Sequence, residues 1–316
     1  MAGMLLTIGE ILVEIMATTV GVGFREAQTL VGPFPSGATA IFIDQAARLG
    51  ARCAIISAVG DDDFGRVNLD RLTRDGVDVS AVSIQPDVPT GSAFVRYRAD
   101  GSRDFVYNIR HSANSRIALT PEAERLIAVA SQIHVMGSAL TIPAVRSLVE
   151  IAVARVKASG GTVSFDPNIR KEMMSDPTLS GTLRQILSAT DLFMPSGEEI
   201  LIFASASDED VAAKRLIADG VKEIALKRGA AGASIITREG RNDGAPFAVE
   251  EIDPTGAGDC FGATYTVCRS LGMPVERALT YANAAGARAV TIKGPMEGAS
   301  SFAELDAFIA QRRSPE

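Results

Sequence analysis

The chain has no tryptophan, only two histidines and only three cysteines among 316 residues. His111 and His134 are too few for a histidine-rich metal centre and argue against a serine–histidine hydrolase, so each reads as a structural or lid residue. Cys53, Cys260 and Cys268 are odd in number, and their spacing fits no metal site. They point to a reducing cytoplasm, not to a disulfide framework. Basic runs are missing except for Arg312-Arg313, and the net charge is -7, which excludes nucleic acid and anionic membrane as expected partners. No apolar stretch approaches the ~20 residues of a membrane span. The N-terminus lacks a basic flank and carries Glu10 and Glu14 early, which speaks against a signal peptide. No period of 20–50 residues is visible, so a repeat array is excluded as well.

What is present is a large apolar fraction, 47%, arranged as short runs alternating with helical patterns. Strands are predicted at Leu5–Ile8, Cys53–Val59, Ile133–Met136, Thr162–Phe165, Leu192–Met194, Ile224–Lys227 and Ser234–Thr237. Helices are predicted at Ala40–Leu49, Arg66–Asp75 and Ala144–Ser159, ended by Gly50, Gly76 and Gly160-Gly161. Such alternation predicts an α/β fold whose mostly parallel sheet is covered by helices on both faces. Ligands of such sheets bind at the carboxyl ends of the strands. Two regions break the rhythm. Residues 11–31 carry few helix signals, and residues 92–112 alternate as strands around a turn at Asp100-Gly101. Both are expected to form a small β lid within one domain spanning 1–316.

The segment Asp253-Pro-Thr-Gly-Ala-Gly-Asp-Cys-Phe261 opens a predicted helix, Asp259 to Leu271. Gly256 and Gly258 let the backbone approach a ligand closely. Unpaired N–H groups at a helix start attract phosphate, and Asp259 places a carboxylate beside it. A helix start capped by Asp259 is the plain alternative. A dinucleotide site is disfavoured, because Phe261 stands where the third glycine of Gly-x-Gly-x-x-Gly belongs. Further polar runs follow predicted strands. They are Asp166-Pro-Asn-Ile-Arg170, Pro195-Ser-Gly-Glu-Glu199 and Lys227-Arg-Gly-Ala-Ala-Gly232.

The nine residues from Asp253 resemble the C-terminal signature of the ribokinase/PfkB family of carbohydrate kinases, and the resemblance extends over nearly the whole chain. It implies a ribokinase-like fold and transfer of the ATP γ-phosphoryl group to a sugar hydroxyl. Asp259 is then the catalytic base, and the N–H groups of Gly256, Ala257, Gly258 and Asp259 form the anion hole. ATP contacts carry over to Ser196, Lys227, Gly229, Gly232, Gly256, Gly258 and Asn283. Glu199 matches the glutamate of Asn-x-x-Glu and would hold Mg²⁺ through water, while Ser196 replaces the asparagine. Asp253 and Thr255 match positions that bind a monovalent cation in potassium-activated members. The acceptor pocket carries over to Glu14, Ser36, Gly37, Ala38, Arg110, Asp166, Arg170 and Asp259. There Glu14 replaces an aspartate, and Ser36 and Ile41 depart from Gly-Gly-Ala-x-x-Asn. The run from Asp166 resembles 2-keto-3-deoxygluconate kinases and fructokinases, the lid segment Tyr107-Asn-Ile-Arg110-His-Ser112-Ala113 resembles 2-keto-3-deoxygluconate kinases, and Gly32 to Gly50 resembles ketohexose kinases of the tagatose type. The expected acceptor is a neutral ketohexose such as tagatose or fructose, with the acidic 2-keto-3-deoxy-aldonate as the alternative. A nucleoside acceptor is less favoured for want of aromatic stacking surface. A sugar-binding sensor without catalysis is a further alternative, against which the retained Asp259 and its glycines argue. A homodimer through the lid is expected, and Asp259 is expected to stay ionised in the positive helix start.

Overall fold

The computed structural model describes residues 3–169 and 176–312. Nine strands form one sheet in the order β13-β12-β11-β10-β9-β8-β1-β4-β5. Of these, β11 (Glu223–Lys227), β10 (Leu192–Phe193), β9 (Thr162–Asp166), β8 (Ala130–Met136), β1 (Met4–Ile8), β4 (Cys53–Gly60) and β5 (Asp78–Gln85) run parallel. β12 (Ala233–Ile236) and β13 (Arg241–Gly244) finish one edge antiparallel. The central strands β1 and β4 are buried at every position because both faces are covered. Leu6, Ile8 and Ile56 face a core with α3 (Pro121–Val129), α4 (Pro143–Ala158), α5 (Pro177–Ser188) and α7 (Glu209–Ala218). Their neighbours Leu5 and Ile55 face the opposite core, built on α1 (Ala38–Arg48), α8 (Ala257–Ser270), α9 (Val275–Ala289) and α10 (Phe302–Arg312). This is the pleat of a strand, with successive side chains on opposite faces.

The lid is a separate sheet in the order β3-β2-β6-β7, made of β3 (Leu30–Ser36), β2 (Leu12–Ala17), β6 (Gly91–Tyr97) and β7 (Arg103–Asn108). β2 and β6 pair parallel, and the outer pairs are antiparallel. The hairpin turn lies where Asp100-Gly101 predicts it. Gly101 has φ 81°, and Arg98 N–H donates to the Ser102 carbonyl at 2.7 Å. The two lid segments are clamped at their root by Asn114. Its amide donates to the Ile11 carbonyl at 3.0 Å and accepts from Ile11 N–H at 3.2 Å.

Several boundaries differ from the sequence reading, and two of them bear on the lid. The first lid segment continues to Ser36 rather than stopping at 31, so Ser36 lies at the end of a lid strand. The second helix, α2 (Asp63–Asp75), starts three residues earlier than Arg66. Asp62 caps it, accepting from Gly65 N–H at 2.8 Å, and its other oxygen accepts from Thr90 N–H at 2.8 Å at the entry to β6.

Candidate active site

The ends of β1, β9 and β11, the start of α8 and the root of the lid converge on one cleft. Gly256 has φ 81° and is the N-cap of α8. A β-carbon there would collide with the Pro295 carbonyl oxygen, so the turn requires glycine. Gly258 is different. It sits within the helix and not in the left-handed region, and a β-carbon there would make an ordinary contact, 3.6 Å from Lys227 Nζ. The Gly256 carbonyl takes the first helical bond, from Cys260 N–H at 2.8 Å. The preceding N–H groups therefore have no intrahelical acceptor, and no side chain caps them. The start of α1 makes a useful contrast. There Glu10 fills the position, its Oε1 accepting from Ala38 N–H at 3.2 Å and its Oε2 from Thr39 Oγ1 at 3.2 Å. One helix start is closed by an internal carboxylate, and the other is left open to an outside anion.

Asp259 stands in the first turn of α8. The helix start was expected to keep it ionised, but the shift of its pKa runs the other way. Burial raises its pKa well above the ordinary carboxylate value, and the charges of Asp166, Glu10 and Glu14 raise it further, against the pull of Lys227. Three further carboxylates, Asp166, Glu10 and Glu14, act on Asp259 against the single ammonium of Lys227, and together with burial they outweigh the dipole. Asp166 ends β9, and its Oδ2 forms a short ion pair with Lys227 at the end of β11. Glu199 accepts from Ile169 N–H at 2.7 Å and from Ser196 N–H at 2.6 Å, tying the loops after β9 and β10 together. Burial, then Asp166, raises its pKa. Ser196 bridges to Lys227 through the backbone.

Gly229 and Gly232, with φ 53° and 81°, shape the turn between β11 and β12. Asn283 of α9 donates to the Ala245 carbonyl at 3.1 Å, just beyond β13. On the acceptor side, Glu14 and Ser36 from neighbouring lid strands meet, with Ser36 Oγ donating to Glu14 Oε1 at 3.1 Å. Glu14 Oε2 is buried without a partner. Burial, then Asp253, raises the Glu14 pKa to about 7. Gly37 has φ 110° and lies against the Glu10 carbonyl, and Ala38 follows at the start of α1. Arg110 does not join this group. It lies exposed in the turn after β7, with no hydrogen bond or ion pair to a described residue. Arg170 falls outside the described residues. Sequence reasoning missed Arg103 and Tyr97, which reach the same cleft from β7 and β6. Tyr97 interacts with Asp253, and Arg103 Nη1 donates to Thr255 Oγ1 at 2.6 Å.

The donor set suits Mg²⁺ only in part. Among the described residues no three His, Cys, Asp or Glu side chains form a metal cage. Glu199 and Asp166 at the cleft fit an ion held mainly by phosphate oxygens and water. Asp253 is fully buried, its Oδ1 accepting from Thr255 N–H at 3.0 Å and Oγ1 at 2.8 Å, and its Oδ2 from Gly294 N–H at 3.0 Å. A monovalent cation there would need backbone carbonyls to complete its shell.

The family model of the pfkB family carbohydrate kinases matches residues 3–301. A 2-dehydro-3-deoxygluconokinase of Thermoproteus tenax is 31% identical, over 96% of this chain and 94% of its own. An E. coli protein described as a candidate ribokinase II, solved with ATP and Mg²⁺, is 46% identical with a TM-score of 0.93, covering 98% of this chain and 99% of its own. A fructokinase double mutant of Vibrio cholerae O395, solved with fructose, ADP and potassium, is 28% identical with a TM-score of 0.83, covering 97% and 98%. With a family match across almost the whole chain, and with the fold and an open helix start built as described, the chain belongs to the pfkB family of carbohydrate kinases, phosphotransferases that act on a sugar hydroxyl.

Proposed function

We propose that this kinase transfers the γ-phosphoryl group of ATP to a hydroxyl of a neutral ketohexose such as fructose or tagatose. The observation that carries the choice is the Glu14–Ser36 pair. Glu14 Oε2 is buried without a donor, and a buried acceptor left unpaired costs on the order of 1–3 kcal/mol. A sugar hydroxyl supplies that donor. A substrate carboxylate placed there cannot, and it would lie near the charge of Asp253. In this reading Asp259 takes the proton of the attacking hydroxyl, and the open N–H groups of Gly256 to Asp259 hold the transferred phosphate. Lys227 lies beside that cradle as a point charge. Positioning does most of the work, because phosphoryl transfer has a loose transition state. Mg²⁺, bound through Glu199 and water, would neutralise phosphate charge. Potassium at the Asp253–Thr255 loop is proposed as an activator.

A reducing cytoplasm suits three free, buried thiols. No helix of the described residues is long and apolar enough to cross a membrane. The lid exposes Val106 and Tyr107, and a second copy pairing through them is proposed, which light scattering on the intact chain decides.

The substrate is tested by competition between fructose or tagatose and 2-keto-3-deoxygluconate, in the wild type and in Arg110→Ala. The neutral sugar is expected to win in both. If the acid is the better substrate and Arg110→Ala selectively destroys its use, the carboxylate reading replaces this one.

A further inference from the structure

Arg103 opens lid strand β7, yet its guanidinium ends on the body of the enzyme. Nη1 donates to Thr255 Oγ1 at 2.6 Å, and that hydroxyl donates onward to Asp253 Oδ1 at 2.8 Å. Asp253 is held from the far side by Gly294 N–H at 3.0 Å. Thr255 directly precedes Gly256, the left-handed turn that sets the cradle and packs against the Pro295 carbonyl. The loop entering α8 is therefore clasped between residues 294–295 on one side and the lid arginine on the other. The guanidinium is placed by its own strand. It lies 5.4 Å from the centre of the Phe105 ring and is half-buried, and its charge acts on Glu14 across the acceptor pocket. The same residue thus touches the lid, the acceptor side and the phosphate side.

We propose that Arg103 is a latch, a positioning residue that makes the closed lid and the formed phosphate cradle one state. The latch rests on the kinase reading but not on the choice of sugar. When the lid lifts, the donor to Thr255 is withdrawn and the loop before Gly256 loses its restraint from the lid, keeping those from Val290 and Gly294. When the acceptor brings the lid down, the bond re-forms and the N–H groups of α8 are set to receive phosphate. In the transfer the γ-phosphorus–oxygen bond of ATP breaks as the bond to the sugar oxygen forms. With water in place of sugar the same exchange wastes ATP, so completing the cradle only under a closed lid favours sugar over water.

The test uses the full chain and the variants Arg103→Met, Arg103→Lys, Thr255→Val and the double variant Arg103→Met/Thr255→Val. Arg103→Met is expected to lower kcat/KM for the sugar by ~10–100-fold, the scale of a small misplacement. It should leave KM for ATP nearly unchanged and raise ATP consumed per sugar phosphate formed. Arg103→Lys should fall between it and the wild type. Because both partners serve one bond, Arg103→Met should add little in the Thr255→Val background. Independent multiplication of the two losses, or an ATP-to-product ratio that stays at the wild-type value, overturns the latch. Amide exchange over residues 253–259 reads the same idea without turnover. Faster exchange in Arg103→Met than in the wild type supports it. Equal exchange overturns it even in a preparation where no tested sugar is phosphorylated, a result that would count separately against the kinase reading.

Discussion

Glu14 and Ser36 each depart from the family pattern, and in the folded chain the two departures are partners. Ser36 Oγ completes one oxygen of Glu14 and leaves the other buried without a partner. The longer side chain is thus anchored, not loose. Burial lifts the Glu14 pKa to about 7 from 4.5. The sign of the consequence follows from linkage. A carboxyl whose folded pKa is raised binds its proton more tightly when folded, so its contribution to stability is full below 4.5 and is lost as pH rises through 7. Melts of wild type and Glu14→Gln from pH 4.5 to pH 8 should therefore diverge, with wild type losing on the order of 3 kcal/mol relative to the variant. Parallel curves would show that Glu14 is not a protonated buried acid in the free enzyme. The pair joins residues 22 positions apart on strands β2 and β3. Spacing along the chain carries no trace of it, and so the sequence shows two anomalies where the structure shows one device. Asp259 was legible as the carboxylate beside the cradle. Its raised pKa was not, because the crowding by Asp166, Glu10 and Glu14 comes from three other segments.

At the scale of elements, what the sequence shows and hides follows edge and centre. Buried central strands such as β4 are plain in the sequence, and so are helix ends at Gly50 and Gly76, whose φ of 79° and 99° only glycine adopts easily. β3 is hidden because Gly32, Pro33 and Pro35 interrupt its alternation. Proline is tolerated there because β3 is the edge of the lid sheet, where missing donors face no partner. β5 is hidden for a related reason: it is the other edge of the main sheet, half-exposed and mixed in composition. The loop from Asp253 to Gly256 behaves as an element of its own, fixed by Asp253 to Thr255 and Gly294. A potassium ion would add its order at this loop and not at the sugar. Rates in potassium should exceed those in a bulky organic cation at equal ionic strength, with the sugar KM little changed. Equal rates would remove the ion from the account.

At the scale of the whole molecule, two sheets meet at one cleft. The nine-stranded sheet delivers Asp166 and Lys227 at strand ends, and α8 delivers the open cradle with Asp259. The lid sheet delivers Glu14, Ser36, Tyr97 and Arg103. The family assignment covers this architecture, and the sugar identity rests on the lid residues alone. Everything nonetheless depends on Asp259 acting as the proton acceptor at the mouth of the cradle. The decisive measurement is sugar phosphate formed by Asp259→Asn at saturating ATP, Mg²⁺ and ketohexose, with ATP binding measured in parallel. The substitution keeps the shape and removes the base, so turnover should fall by roughly 10²–10⁴-fold while ATP still binds. A variant that binds ATP and keeps more than about a tenth of wild-type turnover would contradict Asp259 as the base, since general-base catalysis is worth far more than that.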